Sequence, residues 1–211
     1  MKLETAANYM NADTNGFSPA LLAEEFKTIA IDSREVKAGD VFFALSQPDY
    51  KNNCFNGDFD DSTKYVASAL EKGAICAVIR PDRYEEHKLA LEPFRDRLLL
   101  VNDAILALQN LAKGVYEEWG KPVVAVTGSA GKTTAKELTA HVLRASGKSV
   151  LSNIKNYNNG LGQPLTVLRI LSEGNFDLAV LEMGMSTPFN EIARLCRITP
   201  PDVAVELNVL P

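Results

Sequence analysis

The sequence predicts an α/β protein, with a small mixed α/β domain followed by part of a doubly wound parallel sheet. Short apolar runs alternate with helical patterns along the whole chain. Two runs in the second half, "PVVAVT" and "FDLAVLEM", are almost entirely apolar, as strands are when a parallel sheet is covered on both faces. The segment "WGKP", which contains Gly120 and Pro122, is typical of a linker. We therefore expect domains at 1–120 and 121–211.

The first domain has helix and strand patterns separated by turn residues. Ser18 and Pro19 suit the N-cap and first position of a helix. A second helix should end at Gly73, and an amphipathic helix should span 103–119. The segment 46–62 is rich in Asn, Asp and Gly, which favours a loop. Strands are predicted in "TIAID", "VFFAL", "AICAVI" and "RLLLV".

The second domain alternates strands and helices, which indicates βαβ units. A strand should end at Thr127 and be followed by a helix over about 131–146, whose buried face would carry Ala135, Leu138, Thr139, Val142, Leu143 and Ser146. The remaining elements are expected in "SVLS", "LTVLRIL", "FDLAVLEM", "NEIARLC" and "DVAVELNV". Ligands of such folds bind beyond the carboxyl ends of the strands.

Composition argues against several classes of protein. The net charge of −5 disfavours a nucleic-acid binder held by phosphate contacts. The beginning "MKLETAANYM" lacks a secretory signal, and no run of 18 apolar residues predicts a membrane span. Three well-separated cysteines fit a reduced, cytoplasmic setting, with Cys76 in the core, and the two histidines lack neighbours that would suggest structural zinc.

The stretch "VTGSAGKTT" predicts a phosphate-binding loop between a strand and a helix. Gly128 and Gly131 would let the backbone approach an anion, and amides at the helix start would face it. Lys132 would meet the β and γ phosphates of ATP, and the Thr133 hydroxyl would suit Mg²⁺. Val126 stands where longer loops have glycine, which indicates a shorter variant. The predicted ATP-binding residues are Gly128, Ser129, Ala130, Gly131, Lys132, Thr133 and Thr134.

Glu182, at the carboxyl end of the apolar strand "FDLAVLE", is the second candidate. A carboxylate at this strand end could be exposed to solvent without further function. Alternatively it could join Thr133 as an Mg²⁺ ligand at the same edge of the sheet, because Mg²⁺ prefers oxygen ligands.

A cluster of asparagines in "NIKNYNNGLGQP" is the third candidate. Asn156, Asn158 and Asn159 offer donors and acceptors to a polar substrate. The same residues, followed by Gly162 and Pro164, could also form an ordinary loop.

These motifs together resemble the Mur ligases. The loop 127–134 is similar to their short ATP loop, and "GKTTAKE", the Asn-x-Asn-Asn-x-x-Gly-x-Pro pattern of 156–164 and "VLEMGM" are similar to the member that adds D-alanyl-D-alanine. "IDSREVKAGDVFFAL" resembles the family's uridine-nucleotide-binding domain. The similarity runs from about 28 to 209, and the first 25 residues show none.

The resemblance implies an ATP-dependent ligase of peptidoglycan precursor synthesis. ATP would phosphorylate the terminal carboxylate of UDP-N-acetylmuramoyl-tripeptide, and the amine of D-alanyl-D-alanine would attack the acyl phosphate. Lys132 and Glu182 would be catalytic, and Thr133 and Glu182 would hold Mg²⁺. The substrate-binding residues would be Ser33, Arg34, Asn156, Asn158 and Asn159.

The chain departs from the family pattern in three places. An Asp-Gly-His-type segment is replaced by Asn56, Gly57 and Asp58, and Asn190 replaces a glycine after Pro188 and Phe189. The family's later segments would follow residue 211, so we expect an N-terminal portion, monomeric and inactive as a ligase alone. Two alternatives stay open: a non-catalytic module that binds a uridine nucleotide or a partner protein, and a ligase similar to folylpolyglutamate synthase.

Overall fold

The computed structural model describes residues 1–185 and 190–209. It forms two compact units, Met1–Leu111 and Ala112–Pro211. Both contain a parallel sheet with helices, so the predicted α/β class is confirmed. The division falls inside the helix predicted over 103–119, and the functional assignment of 1–120 and 121–211 stays a prediction. Across the described ranges, none of the helices combines the length and apolar character that a membrane crossing needs.

The first unit is built on a four-stranded parallel sheet in the order β1-β2-β3-β4. Its buried core includes Phe42, Val66, Leu70, Ile79 and Leu98. The elements are α1 (Leu3–Met10), α2 (Pro19–Leu22), β1 (Ile29–Ala30), β2 (Val41–Phe43), α3 (Gln47–Asn52), a 3-10 helix (Ser62–Tyr65), α4 (Val66–Glu71), β3 (Cys76–Ile79), α5 (Pro81–Glu86), α6 (Lys88–Leu91), a 3-10 helix (Glu92–Arg97), β4 (Leu98–Leu100) and the beginning of α7 (Ala104–Trp119).

Three residues of this unit have the structural roles that the sequence predicted. The Ser18 hydroxyl accepts from the Leu21 amide at 3.1 Å, so it caps α2. Gly73 follows α4 with a φ of +101°, a left-handed conformation that favours glycine. Cys76 is fully buried in β3, in agreement with the predicted core position.

The segment 46–62, predicted to be largely loop, contains the short helix α3 near its beginning. Ser46 and Asp49 make a capping box, in which the Ser46 amide donates to the Asp49 carboxylate at 2.8 Å. The same buried carboxylate accepts from the Ala104 amide at 2.9 Å, which ties α3 to the start of α7. The abundance of Asn, Asp and Gly over the whole segment concealed this short Ser-x-x-Asp signal.

The second unit has a four-stranded parallel sheet in the order β6-β7-β5-β8. The carboxyl ends of these strands share one edge. The elements are β5 (Val123–Thr127), α8 (Lys132–Ala145), β6 (Val150–Ser152), α9 (Gly162–Leu168), α10 (Ile170–Glu173), β7 (Leu178–Glu182), α11 (Glu191–Ile198) and β8 (Val203–Glu206). The predicted alternation of strands and helices is confirmed, with "LTVLRIL" divided between two short helices.

The buried face predicted for α8 is partly wrong. Leu143 packs against the sheet as expected. Leu138 and Val142 are instead 63% and 58% exposed, whereas Lys136 and Ala140 are buried. Apolar periodicity could not identify Lys136 as buried, because its partner comes from a neighbouring strand end.

Candidate functional site

The predicted phosphate loop connects β5 to α8 in a tight turn. β5 ends at Thr127 and α8 begins at Lys132. Gly128 and Gly131 have φ values of +143° and +82°, so both need the freedom of glycine. The first intrahelical hydrogen bond runs from Ala135 N to Gly131 O, so the preceding amides open the helix and form the positive end of its dipole.

Lys132 adds a full positive charge to this helix start. Its Nζ donates to the Gly128 carbonyl at 2.7 Å, so the half-buried side chain folds back over the loop. This hydrogen bond holds the ammonium group next to the loop backbone. An anion at the helix start would therefore meet both amide dipoles and a fixed cation.

Glu182 lies at the same edge, at the end of β7. Its Oε2 accepts from Thr133 Oγ1 at 2.8 Å, and its Oε1 accepts from Asn158 Nδ2 at 2.7 Å. The residue is 4% exposed, and these two partners are neutral. A buried carboxylate is costly without a compensating positive charge, so this arrangement favours a cation as ligand.

Asn153 holds the backbone on which Glu182 is carried. Its Oδ1 accepts from the Glu182 amide at 2.6 Å, and its Nδ2 donates to the Tyr157 carbonyl at 2.6 Å. The buried Lys136 donates to the Asn153 carbonyl at 2.9 Å. The end of β6, α8 and the asparagine loop are thereby joined behind the carboxylate.

The three predicted asparagines have different positions. Asn158 contacts Glu182, as described. Asn159 Oδ1 accepts from the amides of Leu161 and Gly162 at 3.1 and 2.8 Å, so it shapes the start of α9. Asn156 is exposed, and its carbonyl accepts from the Asn158 amide at 2.8 Å.

The first unit has a cleft of about 480 Å³ next to Ser33 and Arg34, which were predicted to bind the substrate. Arg34 is 87% exposed and pairs with Asp32 at 2.6 Å, which lowers the pKa of that carboxyl to about 2. Lys72 donates to the Ser33 carbonyl at 2.8 Å. The cleft is lined by Ile31, Asp32, Ser33, Arg34, Tyr50, Phe59, Asp60, Ser62 and Tyr65.

Aromatic rings provide one wall of this cleft. Tyr50 and Phe59 stack with ring centroids 3.8 Å apart and an interplanar angle of 13°. Phe59 belongs to the segment 46–62, so this segment contributes an aromatic surface to the cleft. Both the stacked pair and Tyr65 could hold a flat heterocycle.

Comparison with known proteins indicates the family that this chain resembles. Residues 126–211 match the family model of the Mur ligase middle domain. Across 190 residues the chain is 33% identical to UDP-N-acetylmuramoyl-tripeptide--D-alanyl-D-alanine ligase of Haemophilus influenzae, covering 89% of this chain and 37% of that protein. The chain is related to the Mur ligases. The resemblance predicted from the sequence is therefore confirmed, for a chain that spans well under half of this relative.

Solved structures of Mur ligases have the same fold. A crystal structure of MurF from Acinetobacter baumannii aligns with a TM-score of 0.78 and 28% identity, over 98% of this chain and 40% of that one. MurF ligase of Thermotoga maritima in complex with ADP aligns with a TM-score of 0.68 and 32% identity, over 91% of this chain and 39% of that one.

A departure from the Mur ligase pattern lies at the start of α11. Asn190 has a φ of +58°, in the left-handed region. Asparagine adopts this conformation more readily than other residues with a side chain, so it suits a position where the family resemblance leads us to expect glycine. Pro188 and Phe189, noted in the sequence, lie outside the described residues.

Two residues of the candidate site escaped the sequence analysis. Asn153 directly follows β6, and Asn208 follows β8. Both come after strands that end at the edge where Glu182 was expected. A polar residue within two positions of the end of a parallel strand was therefore a usable signal in both cases.

The oxygen atoms at this edge fit Mg²⁺ in part. Thr133 and Glu182 supply a hydroxyl and a carboxylate, which are ligands that hard cations prefer. Among the described residues, no group of three His, Cys, Asp or Glu side chains could enclose a metal. An ion here would need further oxygens from phosphate or water, as Mg²⁺ commonly has at nucleotide sites.

Proposed function

We propose that this chain contributes the ATP-phosphate site and the UDP-substrate site of a peptidoglycan-precursor ligase. The reaction joins D-alanyl-D-alanine to UDP-N-acetylmuramoyl-tripeptide through an acyl phosphate. The observation that carries the proposal is the short phosphate loop facing the Glu182–Thr133 pair, in a segment that matches the Mur ligase middle domain.

ATP would bind with its β and γ phosphates at the start of α8. The amides of the first helical turn and the Lys132 ammonium would stabilise the charge of the transferring phosphoryl group. The structure of the Thermotoga maritima ligase is a complex with ADP, which supports nucleotide binding by this fold. Lys132 is then a catalytic residue, and Gly128 to Thr134 form the phosphate-binding segment.

Thr133 and Glu182 would hold Mg²⁺ against those phosphates. The metal ion would neutralise charge on the β and γ oxygens. Asn158 keeps the Glu182 carboxylate oriented through its 2.7 Å hydrogen bond. Bound Mg²⁺ would also offset the cost of burying Glu182 next to neutral partners.

The uridine nucleotide would bind in the cleft of the first unit. Ser33 and Arg34 offer a hydroxyl and an exposed guanidinium, and the stacked Tyr50 and Phe59 offer an apolar face. Arg34 can pair with phosphate through several N–H groups. Asn156 and Asn159 stay proposed substrate residues, with Asn159 also needed for the start of α9.

The chemistry has two balanced steps. A carboxylate oxygen of the tripeptide attacks the γ phosphorus of ATP, and the bond to the β–γ bridging oxygen breaks, which gives the acyl phosphate and ADP. The neutral amine of D-alanyl-D-alanine then attacks the acyl carbon, the resulting tetrahedral species expels phosphate, and one proton leaves the nitrogen.

The decisive experiment uses the protein encoded by the complete reading frame that contains these residues. It is incubated with ATP, Mg²⁺, the UDP-tripeptide and D-alanyl-D-alanine, and the dipeptide-extended product is measured by mass spectrometry. We expect product and one ADP for each product molecule. Binding of ATP and UDP-tripeptide without product would favour a non-catalytic nucleotide-binding module instead.

A further inference from the structure

Asn208 connects the segment after β8 to the phosphate loop. Its carbonyl accepts from the Ser129 amide at 2.9 Å, and its Oδ1 accepts from the Ala130 amide at 2.9 Å. Its Nδ2 donates to the Ala130 carbonyl at 3.2 Å. One asparagine therefore fixes two consecutive residues of the loop, with its backbone and with both ends of its amide group.

Close packing of residues 207 and 208 against Gly128 also fixes the position of the loop. A Cβ on Gly128 would lie 3.1 Å from the Asn208 carbonyl oxygen and 3.2 Å from the Leu207 Cβ. The Leu207 amide donates to the Thr127 carbonyl at 3.0 Å, which continues the pairing of β8 with β5. Gly128 thus serves two needs, because its φ is left-handed and because the chain at 207–208 passes directly against it.

These contacts divide the amides of the loop into two groups. The Ser129 and Ala130 amides already donate to Asn208, and an anion could recruit them only by breaking those bonds. The amides from Lys132 onward precede the first intrahelical hydrogen bond of α8 and point toward its open end. The Lys132 ammonium lies on the same loop.

We propose that Asn208 is a positioning residue that holds the phosphate loop open for ATP, so that the amides beginning α8 receive the phosphates while those of Ser129 and Ala130 stay bonded to Asn208. The inference rests on the proposed function, since it assigns the anion to this loop. A loop fixed before binding loses less conformational entropy when the nucleotide arrives. Asparagine suits this role because one planar group both donates and accepts.

The first measurement needs no nucleotide. Amide exchange of the 211-residue chain is followed by NMR in the wild type, in Asn208→Ala and in the neighbouring control Val209→Ala. We expect the Ala130 amide to exchange at least about tenfold faster in Asn208→Ala and at the wild-type rate in the control. The Ser129 amide should change less, because it donates to the backbone carbonyl of residue 208, which alanine keeps. Unchanged exchange in Asn208→Ala would overturn the proposal.

The second measurement is ATP affinity by calorimetry. We expect Asn208→Ala to weaken binding by about tenfold, because the two side-chain hydrogen bonds to Ala130 no longer order the loop. Asn208→Asp keeps the acceptor for Ala130 but adds negative charge, so it should bind ATP more weakly still, and added salt should reduce that extra loss. Wild-type affinity in Asn208→Ala, despite faster exchange, would also overturn the proposal.

NMR with bound ATP decides which amides receive the phosphates. We expect large shifts for the amides of 132–134 and small shifts for Ser129 and Ala130. The reverse pattern would contradict the division of the loop. If the protein of the complete reading frame binds no ATP, the proposed function fails, whereas the exchange rates in the free 211-residue chain still decide whether Asn208 holds the loop.

Discussion

Thr133 and Glu182 are 49 residues apart in the chain, and 2.8 Å separates the Thr133 Oγ1 from the Glu182 Oε2. Strand pairing creates this contact, because β5 lies next to β7 with Val126 opposite Glu182. The loop after β5 then returns Thr133, on the first turn of α8, over the end of β7. A hydroxyl and a carboxylate thus converge beside the helix start that we propose as the phosphate site.

Replacing Glu182 by Gln should weaken the Mg²⁺ dependence of ATP binding. The amide keeps the shape of the side chain but removes the charge that a hard cation needs. We expect the Mg²⁺ concentration for half-maximal enhancement of ATP affinity to rise about tenfold or more. Calorimetric titrations of the 211-residue chain at several Mg²⁺ concentrations measure this effect.

Glu173→Gln is the matched control, since Glu173 lies on α10 and pairs with Arg169. It should leave the Mg²⁺ dependence unchanged. UDP-substrate affinity should stay at the wild-type value in both variants. Superimposable Mg²⁺ curves for wild type and Glu182→Gln would show that Glu182 does not bind the metal.

The sequence predicted single positions of this site better than their contacts. The glycine spacing and the strand-to-helix junction are signals within one short stretch of sequence, so the loop 128–134 could be located from the sequence alone. The order β6-β7-β5-β8 depends on packing between distant segments, and without it the pairing of Glu182 with Asn158 could not be derived. The same reason explains why Asn208 was missed, since its partners lie 78 residues earlier.

Replacing Lys132 by Ala should weaken ATP binding and leave the fold intact. The side chain makes one hydrogen bond to the loop, so its loss should cost about 1 kcal/mol of folding stability at most. Loss of a charged contact to phosphate should weaken ATP binding by about 10- to 100-fold. Calorimetry measures affinity and thermal unfolding measures stability.

Lys148→Ala provides the control for Lys132, because Lys148 is an exposed lysine after the far end of α8. It removes the same charge from the same unit. We expect wild-type ATP affinity in this variant. Equal losses in both variants would indicate a general charge effect, and no loss in Lys132→Ala would remove the phosphate-loop assignment.

Replacing Arg34 by Ala should alter both the UDP-substrate cleft and the titration of Asp32. Hydrogen bonding from Arg34 holds the pKa of Asp32 at about 2, below its ordinary 3.8. A depressed carboxyl pKa contributes stability above the unfolded value and loses it as pH falls through the folded value. The stability difference between wild type and variant should therefore vanish between about pH 4 and pH 2.

Carbon-detected NMR of the carboxyl groups measures this titration directly. In Arg34→Ala the pKa of Asp32 should move up toward 3.8. UDP-substrate affinity should fall while ATP affinity stays unchanged, because the two ligands are assigned to different units. An equal fall in both affinities would contradict that assignment, and an unmoved pKa would contradict the role of Arg34.

Replacing Gly184 by Ala should act on Glu182 through Asn158. A Cβ at 184 would lie 2.9 Å from both the Cγ and the Oδ1 of Asn158, which is closer than such atoms approach. The Asn158 side chain can rotate away, but it then loses its 2.7 Å hydrogen bond to Glu182 Oε1. We expect the Mg²⁺ requirement for ATP binding to rise about tenfold, with a small change in melting temperature.

A double-mutant cycle tests this route. Asn158→Ala should raise the Mg²⁺ requirement as Gly184→Ala does. The two changes together should raise it no further, because without the Asn158 side chain the Cβ at position 184 has no hydrogen bond to disrupt. Met185→Ala, at an adjacent position that is 73% exposed, should behave as the wild type. Additive effects of Gly184→Ala and Asn158→Ala would mean that Gly184 acts on the site by another path, and an unchanged Mg²⁺ requirement in Asn158→Ala would remove the assignment of Asn158 as the group that orients the Glu182 carboxylate.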